Sequence, residues 1–172
     1  MKDKGMNFYI RKAVLSDAER CAAIHISSWE FAYSSFISAD ILEQRKNKRY
    51  FQWKKLLADS NDNHYVAVFE DKIIGIITLD TPRDEDLSAE TYELTGLYFD
   101  PEYIGGGFGK LTMDWIIKYV SDKGYMQISL WVLSNNKRAK LFYEKAGFVP
   151  DGTSQNSGID DKLSERYIYK IN

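Results

Sequence analysis

The pattern of apolar residues predicts a mixed α/β sheet, and three observations carry that reading. Short β-rich runs recur at residues 8–12, 64–69, 73–79, 91–99 and 128–133. Segments of helical period precede and separate them. A strand, a glycine loop, a helix and a second strand follow one another over 91–133, a crossover that returns the strands at 91–99 and 128–133 parallel.

After the strand at 8–12, Ser16 and Glu19 stand at capping-box spacing before a helix whose apolar positions include Ala22, Trp29, Ala32, Tyr33 and Phe36. Ser38 is placed to cap a second helix ending near Ala58. The runs at 64–69 and 73–79 are separated by Glu70, Asp71 and Lys72, a spacing suited to a hairpin. A polar loop follows from Asp80 to about Glu90. Phe108, Leu111, Trp115, Ile116, Tyr119 and Val120 mark one face of the helix after the glycine loop, and Gly124 suits its exit. Lys137–Ala146 reads as a helix stopped by Gly147, and Arg166–Ile171 as a closing strand whose edge leaves a homodimer open.

The 172 residues, 44% hydrophobic and 28% charged, suit one domain over residues 1–172, because two domains of half that length would each be marginal. Balancing 23 Lys and Arg against 25 Asp and Glu leaves a formal charge of −2, with no global field to hold nucleic acid. Cys21 is the single cysteine, so neither an intrachain disulfide nor a Cys-based zinc cage can form, and a reducing cytoplasm is expected. His25 and His64 stand apart without a ligand pattern, so no metal is expected. No apolar stretch approaches the roughly 18 residues of a membrane span, and the opening Met-Lys-Asp-Lys-Gly-Met carries no export signal. Met6 is an alternative start.

The chemistry concentrates at Gly105, Gly106, Gly107 and Gly109, between a strand and a helix. Glycines leave main-chain N–H groups uncovered, and a helix N-terminus favours negative charge, so the loop reads as a pyrophosphate cradle. A P-loop is excluded twice: position 104 is Ile, and Leu111 stands where Ser or Thr would follow the lysine. A dinucleotide fingerprint starting at Gly105 or Gly107 meets Lys110 or Thr112 where a small residue is needed.

Ile104-Gly-Gly-Gly107-Phe108-Gly109 resembles the Gln/Arg-x-x-Gly-x-Gly/Ala signature of the GCN5-related N-acetyltransferases, with Ile104 replacing the leading polar residue. That family holds the pyrophosphate of coenzyme A mostly by main-chain N–H groups, so the cradle is expected to survive the change. Leu97-Tyr-Phe-Asp-Pro101 is similar to the family's fourth strand, and Asn136-Lys-Arg-Ala139 with Phe142-Tyr143-Glu-Lys-Ala-Gly-Phe148 to its fifth strand and following helix. The likeness spans roughly residues 64–150. It implies a mostly antiparallel sheet whose parallel pair splays around acetyl-CoA, with helices on both faces.

The resemblance implies roles residue by residue. Tyr143 matches the general acid that protonates the departing thiolate. Asn136 matches a contact to pantetheine and is also a good helix cap. Leu97, Tyr98 and Phe99 are expected to pair with the pantetheine arm, and Ile104 through Lys110 to hold the phosphates. Lys137, Arg138 and Lys140 flank the cradle, as phosphate contacts or as solvated charges. Glu93 is the candidate base acting through water, or a strand carboxylate without a catalytic part. Trp131 stands where amino-terminal protein acetyltransferases carry a glutamate, which turns the reading toward a small-molecule amine. A protein acceptor and a non-catalytic acetyl-CoA sensor stay open.

For the acceptor, Trp29 and Tyr33 are the candidate contacts, since the family's first two helices wall that pocket. Between Asp80 and Glu102 there are eight carboxylates and one basic residue, Arg83. That run is either a field for a cationic amine or a solvated loop. Cys21 lies outside every motif and reads as a small buried hydrophobe, so direct transfer without an acetyl-enzyme is expected.

Overall fold

The computed structural model describes residues 7–59 and 63–171, and the opening segment with Met6 lies outside the described residues. Seven strands form one sheet in the order β1-β2-β3-β4-β5-β7-β6. They are β1 (Phe8–Lys12), β2 (His64–Phe69), β3 (Lys72–Asp80), β4 (Thr91–Phe99), β5 (Gln127–Leu133), β6 (Val149–Asn156) and β7 (Leu163–Lys170). Every neighbouring pair is antiparallel except β4 and β5, which run parallel as the crossover requires. The helices are α1 (Ala18–Tyr33), α2 (Ala39–Ala58), α3 (Phe108–Asp122) and α4 (Lys137–Lys145).

Alternation along the strands sends side chains to two cores. On one face Ile74, Leu79, Leu94, Ile128 and Leu130 pack with Met113, Ile116 and Val120 of α3. On the other, Val66, Val68 and Ile76 meet Cys21, Ala22 and Ile24 of α1 and Trp53 of α2. The β2–β3 hairpin closes through Glu70 and Asp71, both at positive φ, a two-residue turn whose twist suits the flanking strands. Gly124 and Gly147 take the left-handed backbone that ends α3 and α4 (φ 85° and 97°).

Three expectations are corrected. Ser16 does not cap α1, whose N-cap residue is Asp17 without a side-chain cap bond; instead Asp17 Oδ2 accepts from the Val14 N–H at 2.9 Å, closing the 3-10 turn Leu15–Asp17 before the helix, and its carboxylate receives two Arg11 guanidinium nitrogens at 2.7 and 3.0 Å. Strand β6 was absent from the sequence reading, because Pro150, Asp151 and Gly152 resemble a loop and nearly all of the strand is exposed, erasing any alternation. With β6 present, the terminal strand β7 is paired on both sides and is not a free edge.

His25 of α1 is buried beneath the sheet, accepts from Trp53 Nε1 at Nδ1 (3.1 Å) and stacks on Tyr98. Burial, with smaller contributions from Arg49 and Arg45, pushes its pKa down to about 3 from 6.5. Below pH 6.5 the unfolded chain takes up this proton and the folded chain does not, so stability falls with pH across that window, by roughly 1.4 kcal/mol per pH unit. Urea midpoints between pH 6 and pH 4 should therefore decline more steeply in the wild type than in His25→Gln, and parallel curves would contradict the assignment.

Candidate active site

Strands β4 and β5 are paired only from Thr91–Gln127 to Glu93–Ser129. Beyond that point each is claimed by its other neighbour. A bulge between Thr78 and Leu79 opposite Leu94 and Gly96 bends the β3–β4 pair, and β5 keeps an unbroken register with β7 from Gln127–Lys170 to Leu133–Ser164. The strands diverge and leave the β5-facing main-chain groups of β4 unpaired within the sheet, the arrangement an extended ligand can complete as an added strand. Between them lies a cleft of about 750 Å³, lined on one side by residues 94–99 and on the other by residues 131–133 and α4.

One end of the cleft is the glycine loop. Asp100 fixes its approach: its N–H donates to the Ile74 carbonyl (2.8 Å), Oδ1 accepts from the Glu102 N–H (3.1 Å), and Oδ2 receives Arg20 of α1 at 2.6 Å. Gly105 and Gly107 adopt φ of 92° and 85°, the latter as the residue preceding α3. Among the described residues, the N–H groups of Gly105, Gly107, Phe108 and Gly109 have no hydrogen-bond acceptor within the chain. Several uncommitted donors at a helix start make an anion cradle. Gly109 has a second reason to be glycine, since a Cβ there would lie 3.0 Å from the Phe142 ring of α4.

Of the predicted ligand contacts, Leu97, Tyr98, Phe99, Ile104, Gly105, Gly107, Gly109, Lys110, Asn136 and Tyr143 line this cleft. Gly106 and Phe108 are not on its wall; the Phe108 ring turns into the core against Phe8 and Phe69. Lys140 is committed to Glu165 at 2.8 Å, and Lys110 to Asp114 at 2.7 Å. Asn136 caps α4 by accepting from the Ala139 N–H (3.1 Å).

Where the cleft passes α1, three tyrosines converge. Tyr143 sits on α4 in edge contact with Phe142 and Phe148. Its pKa is raised by burial and then by Tyr33 and Tyr98, so the phenol keeps its proton at neutral pH. Tyr33 of α1 is raised for the same reasons. Trp29 and Tyr33 both line the cleft and stand edge to face at 4.8 Å.

Glu93 is not among the residues lining the cleft; it lies two positions before Thr95, which is. Its pKa is raised by burial and then by Asp84, against the pull of the Arg83 N–H. None of the eight carboxylates between Asp80 and Glu102 lines the cleft. Arg166 on β7, buried beside Trp131, receives Asp86 at 2.6 Å, Asp84 at 3.3 Å and Asp151 at 2.7 Å. Trp131 Nε1 donates to Asp84 at 2.9 Å. The acidic loop is thus latched to the sheet, with part of its charge matched there.

The sequence reading missed Phe31, Gln155, Ser157 and Ile159 on the wall, and placed Arg138 only beside the phosphate cradle. Phe31 of α1 and Arg138 of α4 meet across the cleft, guanidinium carbon 5.0 Å from the ring centroid. Gln155, Ser157 and Ile159 of the β6–β7 hairpin also line the cleft, and no motif marks them. Among the described residues no group of His, Cys, Asp and Glu side chains is arranged to hold a metal ion, and no helix is long and apolar enough to cross a membrane. Cys21 is fully buried and its thiol pKa is pushed up to about 12 by burial.

Comparison with known proteins agrees with this geometry. The model of the family described as "Acetyltransferase (GNAT) family" matches residues 22–148. The chain is 29% identical over 166 residues to a spermidine N(1)-acetyltransferase of Thermoplasma acidophilum, covering 93% of this chain and 99% of that one. It is 27% identical over 139 residues to an uncharacterized N-acetyltransferase of Archaeoglobus fulgidus, 78% and 88% of the two chains. Among solved structures, PaiA N-acetyltransferase of Thermoplasma acidophilum in complex with coenzyme A superposes with a TM-score of 0.75 at 25% identity, covering 95% of this chain and 100% of that one.

The loop conformation gives a direct test. A Cβ at Gly107 meets nothing within 4 Å, so Gly107→Ala isolates the strain of positive φ and should cost about 1 kcal/mol in urea unfolding. No loss would mean that the loop relaxes to an ordinary backbone without penalty.

Proposed function

This chain belongs to the GNAT family of acetyltransferases, and we propose that it transfers an acetyl group from acetyl-CoA directly to a primary amine of a small molecule. The observation that carries the proposal is the coincidence of the strand splay, the uncommitted N–H groups of the glycine loop and a protonated Tyr143 along one cleft.

The uncommitted donors of residues 105–109 would hold the pyrophosphate, and the open edge of β4 at 97–99 would pair with the pantetheine arm. The acetyl carbonyl then lies toward the tyrosine cluster. As the amine nitrogen attacks and the carbon–sulfur bond breaks, Tyr143 donates its proton to the thiolate sulfur, so that free thiol leaves. Because burial favours the neutral phenol, the proton is there to give, and after the thiol leaves the phenolate is reprotonated from solvent, restoring the acid for the next turnover. Glu93 takes the amine proton through water. Its raised pKa makes it a better proton acceptor than an exposed carboxylate.

Support for a small acceptor over a protein comes from the Arg138–Phe31 contact, which brings α4 and α1 together at the cleft wall, where a polypeptide would need an open groove. The similar spermidine acetyltransferase also acts on a small amine, as its name states.

Thiol release with an amine panel tests the reading. Tyr143→Phe should lower kcat by about 10²- to 10⁴-fold with little change in the KM for acetyl-CoA. An unchanged kcat would remove Tyr143 from the role of acid. Glu93→Gln should depress kcat/KM most on the acid side of the profile, where the amine itself is scarce; superimposable profiles would assign deprotonation to bulk water.

A further inference from the structure

One guanidinium group lines the cleft and two more stand beside it, in a small hollow that shares Trp29 with the cleft, where a polyamine site would carry carboxylates. None of the residues lining the cleft is acidic. Trp29, which forms part of that wall, has Arg45 and Arg49 of α2 over its ring, with guanidinium carbons 5.1 and 5.2 Å from the centroid. A third guanidinium, Arg138, lines the cleft on the opposite side.

Arg45 and Arg49 are one helical turn apart, both half-buried, and among the described residues neither has a carboxylate within 4.0 Å. Arg45 Nη2 reaches only the Gly158 carbonyl, at 3.5 Å, and Arg49 Nη1 only Gln52 Oε1, at 3.1 Å. Glu30 lies on the same rim, but its carboxylate faces Lys46 at 3.5 Å. The field of the two arginines extends inward to Tyr98, which lines the cleft, and to His25 beneath it.

Two buried donors beside them also lack an acceptor. Trp29 Nε1 lies near the Tyr98 hydroxyl but completes no hydrogen bond, and His25 Nε2 is without a partner. Like charges adjacent on one helix repel, and buried donors left unpaired cost free energy. One oxyanion at this rim relieves the repulsion between the two arginines, and planar guanidinium groups are suited to receive carboxylate or phosphonate oxygens.

Building on the acetyl-transfer reading above, we infer that the amine acceptor also bears an oxyanion, a carboxylate as in an amino acid or a phosphonate, and that Arg49 and Arg45 bind it at Trp29. A polycation entering the cleft meets no carboxylate on its wall, with Arg138 lining it and Arg45 and Arg49 over the Trp29 ring beside it. The pair therefore sets the substrate class, while Tyr143 and the glycine loop act on the acetyl donor.

Matched amines test this: phenylalanine with phenethylamine, lysine with cadaverine, β-alanine with 2-aminoethylphosphonate, and spermidine as the polycation. Thiol release gives kcat/KM for each, and calorimetry on the coenzyme A-bound protein gives affinity without turnover. The oxyanion-bearing member should exceed its counterpart at least tenfold in one or more pairs, with phosphonate against carboxylate identifying the preferred oxyanion. Arg49→Gln should collapse that ratio toward one, chiefly through KM, and Arg45→Glu should invert it toward the cationic amines. Arg45→Gln replaces Arg49→Gln should the latter fail to fold. Preference for spermidine or for the decarboxylated amines, or equal losses for both members of the phenylalanine or the lysine pair, overturns the inference. Should coenzyme A bind but no amine be acetylated, the acetyltransferase reading fails separately. Calorimetry then still decides here, oxyanion-dependent affinity lost in Arg49→Gln supporting the inference and its absence refuting it.

Discussion

Everything distinctive in this molecule follows from the parting of β4 and β5 after the Glu93–Ser129 pair. A parallel pair in mid-sheet normally satisfies its hydrogen bonds along its whole length, and leaving part of it open is costly unless something else takes the bonds. Here the parting is held from outside: the β3–β4 bulge carries β4 one way while the β5–β7 ladder holds β5 the other. The same crossover that makes the strands parallel sets α3 beneath their mouth, so the helix start and its glycine loop face the gap. Arg20 reaching Asp100 ties that loop to α1, linking the donor end of the cleft to the helix that walls the acceptor end.

The charge distribution is a second constraint. Part of the acidic run after β3 is matched by structure, with Asp84 and Asp86 joined by Asp151 of β6 on the buried Arg166, whose pKa is driven up by that company. A single cation facing three carboxylates fixes the loop over Trp131, and the cleft itself is left without acidic groups. The wall of the cleft near α1 is instead rich in aromatic groups, with Arg138 as its cation there, which is the reverse of what the linear count of carboxylates suggests.

The parts legible in the sequence were those with a local physical signature. Glycines at 105, 107 and 109 announce an open backbone before a helix, and the 91–133 crossover dictates a parallel pair. Tyr143 was reached only through resemblance, because a tyrosine on a helix has no signature of its own. Trp29 and Tyr33 were reached through their place on the first helix, and both stand on the wall. Strand β6 was invisible because its stability comes from β7, not from its own alternation. Arg45 and Arg49 were invisible for a related reason. Along α2 charges occur on every side and only Trp53 is fully buried, so nothing in the helix tells which arginines turn toward Trp29. Long-range contacts decide both cases, and local periodicity carries no record of them.

The central claim is that the splayed strands and glycine loop form a site for a coenzyme A thioester. Thermal unfolding with acetyl-CoA, coenzyme A, ATP and NAD, each in large excess, tests it most directly, since a ligand bound by the folded state raises its stability by mass action. The account requires a rise with the two coenzyme A species, about 2.7 kcal/mol at a hundredfold excess over Kd, and little response to ATP or NAD. An unchanged transition with acetyl-CoA and coenzyme A, or equal stabilisation by all four, would contradict it.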